Sequence, residues 1–209
     1  MQQVDAASIV PSVRDLLQAV STRRRNLALV AVIPSERAAE EAARLAELNV
    51  SAFSAAEPGP SLAETARATK TVPSLLLGAA GTKEALLLAR QHGADGVCVD
   101  ALLPVEAWDR LAQSARTMRM VPIALAADAA GVDAAVKLGA RAILIRVGSA
   151  EAAVELAARA PRGLTLVAQV EGLDADGLRA LQGKVDAAVV PPALHASRGF
   201  AELVAEVDP

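Results

Sequence analysis

Short apolar runs recur along the chain, and each is followed by a stretch in which apolar residues have helical spacing. Eight such runs occupy positions 27–33, 50–54, 72–77, 96–100, 121–126, 142–146, 164–169 and 186–190. Their starts lie about 20 to 25 residues apart, the spacing of repeated units of one strand, one helix and two short loops. Because most runs are apolar throughout, they are typical of strands buried on both faces of a parallel sheet.

Residues that end or begin helices lie between these runs. Four residues suited to a left-handed helix end precede strands: Asn49, Gly93, Gly139 and Gly183. Five short polar residues lie where helices are expected to start and to need a cap: Ser35, Thr82, Asp128, Ser149 and Asp174. In the helix expected after Pro104, five apolar residues are predicted to face the sheet: Val105, Trp108, Leu111, Ala112 and Ala115.

Eight strand-helix units predict a single (β/α)8 TIM barrel domain over residues 1–209. An open doubly wound sheet is the alternative, but the turn after the first strand, residues 34–37, lacks the glycines that often mark its nucleotide crevice. Residues 4–22 are predicted to form an extra helix across the bottom of the barrel. The basic residues at its end, 23–25, are interpreted as a solvated helix terminus.

Composition narrows the classes of function. The 209 residues carry 21 basic and 24 acidic side chains, and only Phe53, Trp108 and Phe200 are aromatic, which disfavours nucleic-acid binding. The apolar runs are too short to cross a bilayer, so no membrane contact is expected. The chain start lacks the features of a secretory signal, and Cys98 has no partner for an internal disulfide. A cytoplasmic location is therefore expected.

In a barrel of this kind the chemistry lies in the loops that follow the strands. The candidate catalytic residues in those loops are Glu57, Asp100, Arg146 and Glu171. Helix capping, ion pairing and solvation are the structural alternatives for these side chains. Gly172, after the seventh strand, is a candidate for binding a phosphate group through its backbone. The loop after the eighth strand begins with two prolines, which have no N–H to donate, so half of the usual phosphate cradle is absent.

Metal and cofactor sites are not expected. His92 and His195 lie far apart in sequence, without nearby cysteines or paired carboxylates at ligand spacing, and both are interpreted as surface residues. Cys98 lies within a strand between two valines and is interpreted as a packing residue, not a nucleophile.

Two segments carry a resemblance to a known family. The sequence V-P-S-L-L-L-G at positions 72–78 is followed by A-R-Q-H-G-A-D at 89–95. They resemble the V-P-V-L-R-K-D-F and A-R-x-x-G-A-D segments of indole-3-glycerol phosphate synthase, a (β/α)8 enzyme of tryptophan biosynthesis. The sequences L-G-A-R-A-I at 138–143 and V-D-A-A-V-V at 185–190 are similar to the stretches that enter that family's sixth and eighth strands.

The functional residues of that family are replaced in this chain. Its catalytic lysine falls on Leu77, and the glutamate of its fifth strand falls on Leu125. The phosphate-binding stretch after its eighth strand becomes V-P-P-A at 190–193. Because the family's reaction needs protein groups as acid, base and charge partner, the resemblance implies the fold without the activity.

The leading hypothesis from the sequence is a non-catalytic relative of that synthase with a binding, scaffolding or regulatory role. An apolar rim at Leu77, Leu125, Val147, Val170 and the two prolines at 191–192 is either an internal plug or a surface for a protein partner or self-association. The alternatives are residual synthase-like lyase activity, or a phosphate-ligand enzyme of other chemistry that uses Asp100, Arg146 and Glu171.

Overall fold

The computed structural model describes residues 10–22 and 24–208. The strands are β1 (Ala28–Val32), β2 (Ala52–Ala55), β3 (Ser74–Ala79), β4 (Gly96–Asp100), β5 (Val121–Ala126), β6 (Ala142–Val147), β7 (Thr165–Val170) and β8 (Ala187–Val190). The helices are α1 (Leu16–Val20), α2 (Ala38–Glu47), α3 (Pro60–Ala68), α4 (Lys83–Gln91), α5 (Val105–Thr117), α6 (Ala129–Lys137), α7 (Ala150–Arg159), α8 (Ala175–Leu181), α9 (Pro192–His195) and α10 (Phe200–Val207).

The strands form a closed parallel barrel in chain order, in which β8 pairs with β1. The chain is therefore a (β/α)8 TIM barrel, as the sequence predicts, and the closure excludes the open doubly wound sheet. All eight apolar runs form strands, with ends within two residues of the expected positions. No helix in the described ranges is both long enough and apolar enough to cross a membrane.

Alternation along the strands divides the core in two, because successive side chains point to opposite faces of a strand. The outward residues pack under the helices and form the larger cluster, which includes Phe53, Val97 and Ile143. The inward residues fill the barrel together with two residues of α1. The buried residues of this inner cluster are Leu16, Val20, Ala28, Val30, Ala52, Leu75, Leu77, Cys98, Ile123, Ala142, Leu144, Val167, Ala187 and Val189.

The N-terminal end of the barrel is closed by α1, as expected, but this helix is much shorter than the predicted 4–22. Residues 1–9 lie outside the described ranges, and residues 10–15 are not helical. The backbone N–H of Ser12 donates to the Met118 carbonyl, and the Arg14 guanidinium binds four carbonyls, so tertiary contacts replace helical ones there. Gly96 gives α1 room, because a Cβ on it would lie 2.1 Å from Leu16 Cδ2.

The predicted helix ends are confirmed with one exception, and one residue predicted to face the sheet does not. Four cap side chains accept a hydrogen bond from the backbone three residues on: Thr82, Asp128, Ser149 and Asp174. Asn49 and the three glycines of the helix ends have positive φ. Ser35 is not a cap, because a turn separates it from α2, which begins after Arg37 in a left-handed conformation. Val105 does not face the sheet: it opens α5 and is 57% exposed.

A buried carboxylate holds the N-terminal segment against the barrel. Asp95 is fully buried directly before β4, and its Oδ2 accepts from the Ser74 backbone N–H at 2.8 Å. Arg14 Nε lies 2.7 Å from that same oxygen, and Arg90 Nη1 lies 3.0 Å from Oδ1. The Ser12 hydroxyl also donates to Oδ1. Two guanidiniums and two neutral donors therefore compensate the buried charge of Asp95.

A second aspartate occupies the matching position in the other half of the barrel. Asp186 is buried directly before β8, and its Oδ2 accepts from the Leu166 backbone N–H at 2.9 Å. Its Oδ1 accepts from the backbone N–H of Arg24 at 3.1 Å. No ion pair to Asp186 is present in the described part of the chain. The Ala-Asp and Val-Asp pairs before these two strands thus have a structural role, in which the carboxylate binds the start of the preceding strand.

We predict that Asp95→Asn destabilises the fold by about 3 to 5 kcal/mol, because it leaves two buried guanidiniums without their carboxylate. Urea unfolding followed by circular dichroism measures the change. Asp133→Asn is the matched control, since Asp133 pairs with Arg159 on the exposed surface and its loss is expected to leave the midpoint near that of the wild type. Equal midpoints for the two variants would contradict the role given to Asp95.

Candidate functional site

The carboxyl ends of the strands form the mouth of the barrel, and their last inward residues make a ring there. Because Cys98, Ile123, Leu144 and Val167 point inward, the residues two positions further on also point into the mouth. The mouth ring consists of Val32, Ser54, Leu77, Asp100, Leu125, Arg146, Gln169 and, just after β8, Pro191. Asp100 and Arg146 are the only charged members of this ring.

Arg146 is held across the mouth by two neutral acceptors. Its Nε donates to Gln169 Oε1 at 2.8 Å, on the neighbouring strand, where the two residues are in register. Its Nη2 donates to the Leu77 carbonyl at 2.7 Å on β3. This carbonyl lies within the interval where the pairing of β3 with β4 shifts register. Arg146 makes no ion pair with any described carboxylate, so its positive charge is oriented but not neutralised.

Asp100 ends β4 on the same ring. Its Oδ1 accepts from the backbone N–H of Leu102 at 2.9 Å, which fixes the carboxylate in a tight turn, and the side chain is exposed. One strand, β5, separates β4 from β6 in the barrel. At a strand spacing of about 4.8 Å, the backbones of Asp100 and Arg146 are about 10 Å apart. The Arg146 side chain crosses the mouth to the Leu77 carbonyl on β3, the strand next to that of Asp100.

The other two candidate carboxylates lie outside the ring. Glu57 is exposed in the loop between β2 and α3. Glu171 is exposed beside Gly172, whose φ is +61°, in a cleft of about 330 Å³ between the loops after β6 and β7. Glu151, Asp174 and Asp176 line the same cleft. This acidic lining opposes binding of a phosphate group at Gly172, and Glu171 has no described contact with Arg146.

The predicted apolar rim is divided between two environments. Leu77 and Leu125 belong to the interior of the barrel, whereas Val147 and Val170 pack toward the surrounding helices. The reason is the alternation of the strands, because Val147 and Val170 directly follow inward residues. The rim is therefore not one continuous apolar surface, and its inner part fills the barrel beneath Arg146.

The loop after β8 lacks a complete phosphate cradle, as expected. It forms the short helix α9, in which Pro191 is the cap and Pro192 the first residue. The N–H groups of Leu194 and His195 are both bonded to the Pro191 carbonyl. A phosphate group at this mouth must therefore be bound chiefly by side chains.

His195 is buried, so its interpretation as a surface residue is wrong. Its Nε2 lies 2.9 Å from the Val32 carbonyl, and its Nδ1 lies 3.2 Å from Glu41 Oε1, although with a direction that is poor for a hydrogen bond. Arg44 bonds both Glu41 and the His195 carbonyl. The Arg44 hydrogen bond is the main cause of the lowered pKa of Glu41. His195 thus fastens α9 to β1 and α2, a tertiary role with no local sequence signal.

No group of three or more His, Cys, Asp or Glu side chains that could hold a metal ion occurs within residues 10–22 and 24–208. Cys98 is fully buried inside the barrel, and this burial raises its pKa to about 12. The thiol is therefore protonated at neutral pH and fits the packing role expected from the sequence.

Comparison with known proteins identifies the fold but no family. No protein-family model and no curated protein matches the chain. Among solved structures, 3-hexulose-6-phosphate synthase aligns with a TM-score of 0.66 at 16% identity, over 87% of this chain and 97% of that one. Thiamine phosphate pyrophosphorylase from Pyrococcus furiosus has a TM-score of 0.62 at 17% identity, over 89% of this chain and 99% of that one. N-acetylmannosamine-6-phosphate 2-epimerase from Clostridium perfringens has a TM-score of 0.68 at 15% identity, over 88% of this chain and 92% of that one.

These comparisons correct the functional expectations from the sequence. The three structures named above are a 3-hexulose-6-phosphate synthase, a thiamine phosphate pyrophosphorylase and an N-acetylmannosamine-6-phosphate 2-epimerase, and none of the three is an indole-3-glycerol phosphate synthase. The relationship to that synthase, and with it a place in tryptophan biosynthesis, was wrong: the segments that carried it lie largely at strand and helix ends that any such barrel needs. The expectation of a non-catalytic protein was also wrong, because these neighbours bear the names of enzymes.

We predict that Cys98 does not react with a thiol reagent such as dithionitrobenzoate at pH 8 in the folded protein. A thiol with a pKa of about 12 has almost no thiolate at that pH, and the inner cluster excludes the reagent. The absorbance at 412 nm measures the reaction. We expect about one equivalent of thiol to react, and only after denaturation. Rapid stoichiometric labelling before denaturation would show that the interior is open.

Proposed function

We propose that this protein is an enzyme that acts on a small phosphorylated substrate bound at the mouth of the barrel. The observation that carries the proposal is the guanidinium of Arg146, which projects into the mouth, is fixed by two neutral acceptors and has no described carboxylate partner. A structural arginine in a core is normally neutralised by a carboxylate, as Arg14 is by Asp95. Arg146 has no such described partner, so its charge is available to an anionic ligand.

The orientation of Arg146 suits phosphate. Gln169 and Leu77 occupy Nε and Nη2, which leaves Nη1 and the remaining hydrogen of Nη2 for a ligand. Charge-assisted hydrogen bonds from a guanidinium to phosphate oxygens are about twice as strong as neutral ones. Because α9 has few free backbone N–H groups, the phosphate is bound chiefly by a side chain of β6, that of Arg146. The phosphorylated compounds named in all three structural neighbours support this ligand class.

Asp100 is the acid-base group of the proposed reaction. It is the one carboxylate of the mouth ring; its Oδ1 accepts from the Leu102 N–H, and its Oδ2 has no described partner. Asp100 lies on β4, beside the strand whose Leu77 carbonyl holds the Arg146 guanidinium, so it is placed to take a proton from a carbon of a substrate whose phosphate binds Arg146. Arg146 then orients the substrate, and Asp100 moves the proton.

Proton exchange tests the proposal whatever the final product of the reaction is. The protein is incubated in D2O with a panel of ketose and aldose phosphates, and proton NMR follows deuterium uptake at the carbon next to the carbonyl. We predict exchange with at least one compound of the panel. Asp100→Asn is expected to slow it by about 100-fold or more, which is the usual contribution of a general base. Arg146→Gln is expected to raise KM, because it removes the charge that binds the phosphate.

Glu57→Gln and Glu171→Gln are the matched controls, since both remove a loop carboxylate outside the ring. Their exchange rates are expected to equal that of the wild type. The proposal fails if no compound of the panel exchanges, or if either control loses as much activity as Asp100→Asn.

A further inference from the structure

A cleft at the opposite end of the barrel has its own concentration of charge. It has a volume of about 1010 Å³ and lies between α1 and the loops that lead into β6, β7 and β8. The charged residues that line it are Arg24, Arg141, Arg162 and Asp186. Three arginines and one aspartate give a formal charge of +2, although the whole chain has a net charge of −3. The cleft is thus a local positive site on an acidic protein.

The single carboxylate in this cleft does not neutralise the arginines. Both oxygens of Asp186 already accept backbone N–H groups, from Arg24 and from Leu166. Within residues 10–22 and 24–208, no salt bridge involves Arg24, Arg141 or Arg162. In the matching place at the other half of the barrel, Asp95 pairs with two guanidiniums. The charge balance achieved at Asp95 is missing at Asp186.

Arg24 shows directly that a partner is lacking. The residue has a φ of +57°, its backbone is fixed on Asp186, and its side chain is partly buried against the cleft. Its Nη2 is buried and has no hydrogen-bond partner. A buried unpaired donor on a charged group is costly, and a bound anion would supply the acceptor. This position corrects the interpretation of a solvated terminus for Arg24 alone, since Arg25 is exposed and Arg23 lies outside the described ranges.

Neutralisation of helix dipoles does not account for these arginines. Basic residues in the last turn of a helix stabilise its negative end, and Lys137, Arg159 and Arg179 already occupy those turns in α6, α7 and α8. Arg141 and Arg162 lie beyond the helix ends, in the loops that lead into β6 and β7, and both line the cleft. Their placement therefore needs another explanation.

We propose that this cleft is a second ligand site, which binds an organic anion with two phosphate groups. The Ser21 and Thr165 hydroxyls bond each other at 2.6 Å on the cleft wall, so one of them keeps its hydrogen for a ligand beside the three guanidiniums. Leu17, Ala140 and Leu164 give the cleft an apolar part for the carbon skeleton of the ligand. A volume of about 1010 Å³ matches a small organic ligand, not a lone inorganic ion. The site is separated from the mouth by the length of the filled barrel.

Isothermal titration of the full chain with fructose 1,6-bisphosphate, pyrophosphate and inorganic phosphate at low ionic strength tests the proposal. We expect the bisphosphate to bind with a submillimolar Kd and inorganic phosphate to bind more weakly. The double variant Arg141→Gln/Arg162→Gln is expected to weaken the bisphosphate by at least about tenfold. Both side chains are exposed, so the variant retains its fold, which thermal unfolding verifies.

The matched control is Arg67→Gln/Arg110→Gln, which removes two exposed arginines of outer helices without a described ion pair and changes the net charge equally. It is expected to keep the affinity of the wild type. Because the proposed mouth site also takes sugar phosphates, each of these proteins is titrated in the Arg146→Gln background, where only the second site remains. Two results in that background would overturn the proposal: no heat with the bisphosphate at about 10 mM, or affinity retained in the Arg141/Arg162 variant.

Discussion

The closed barrel imposes one constraint on everything else: its interior must be filled by side chains from alternate strand positions. Small and branched apolar residues fill it, and α1 covers its N-terminal end with Leu16 and Val20. Polar inward residues of the strands lie only where the filled interior ends, which is the mouth and, for Thr165, the N-terminal end of β7. The position of Asp100, Arg146 and Gln169 above the layer of Leu77 and Leu125 is a consequence of that constraint.

Charge is compensated differently at Asp95 and at the mouth. At the N-terminal end, the buried Asp95 is matched by two guanidiniums, and this network secures the segment that carries α1. At the mouth, Arg146 is matched only by neutral acceptors. A buried charge that is fully compensated serves the fold, whereas a fixed charge without a counterion is suited to a ligand. The contrast between Arg14 and Arg146 is the physical basis for separating structure from function in this barrel.

The sequence predicts the barrel well because the spacing of apolar residues, and the residues that begin and end helices, are local properties. Neighbouring residues alone are enough to predict the apolar runs. The same holds for the positive-φ residues Gly93 and Gly139 and for the caps Thr82 and Asp128. The site is only partly predictable. Asp100 and Arg146 follow from their places at strand ends, but the absence of a described counterion for Arg146 depends on what the other strands contribute to the mouth. The burial of His195 and the shortening of α1 depend on contacts more than 80 residues away in sequence, such as that of Ser12 with Asp95.

The proposed function depends on the Arg146 guanidinium as the anion-binding group of the mouth. Its Nε–H is held by Gln169, which favours slow exchange with water and an observable signal in a ¹H–¹⁵N spectrum. The protein is titrated with a hexose 6-phosphate, and the signal is assigned by its loss in Arg146→Gln. We expect this signal to shift and to saturate with the ligand. A signal that stays in place while the ligand saturates the protein would contradict it.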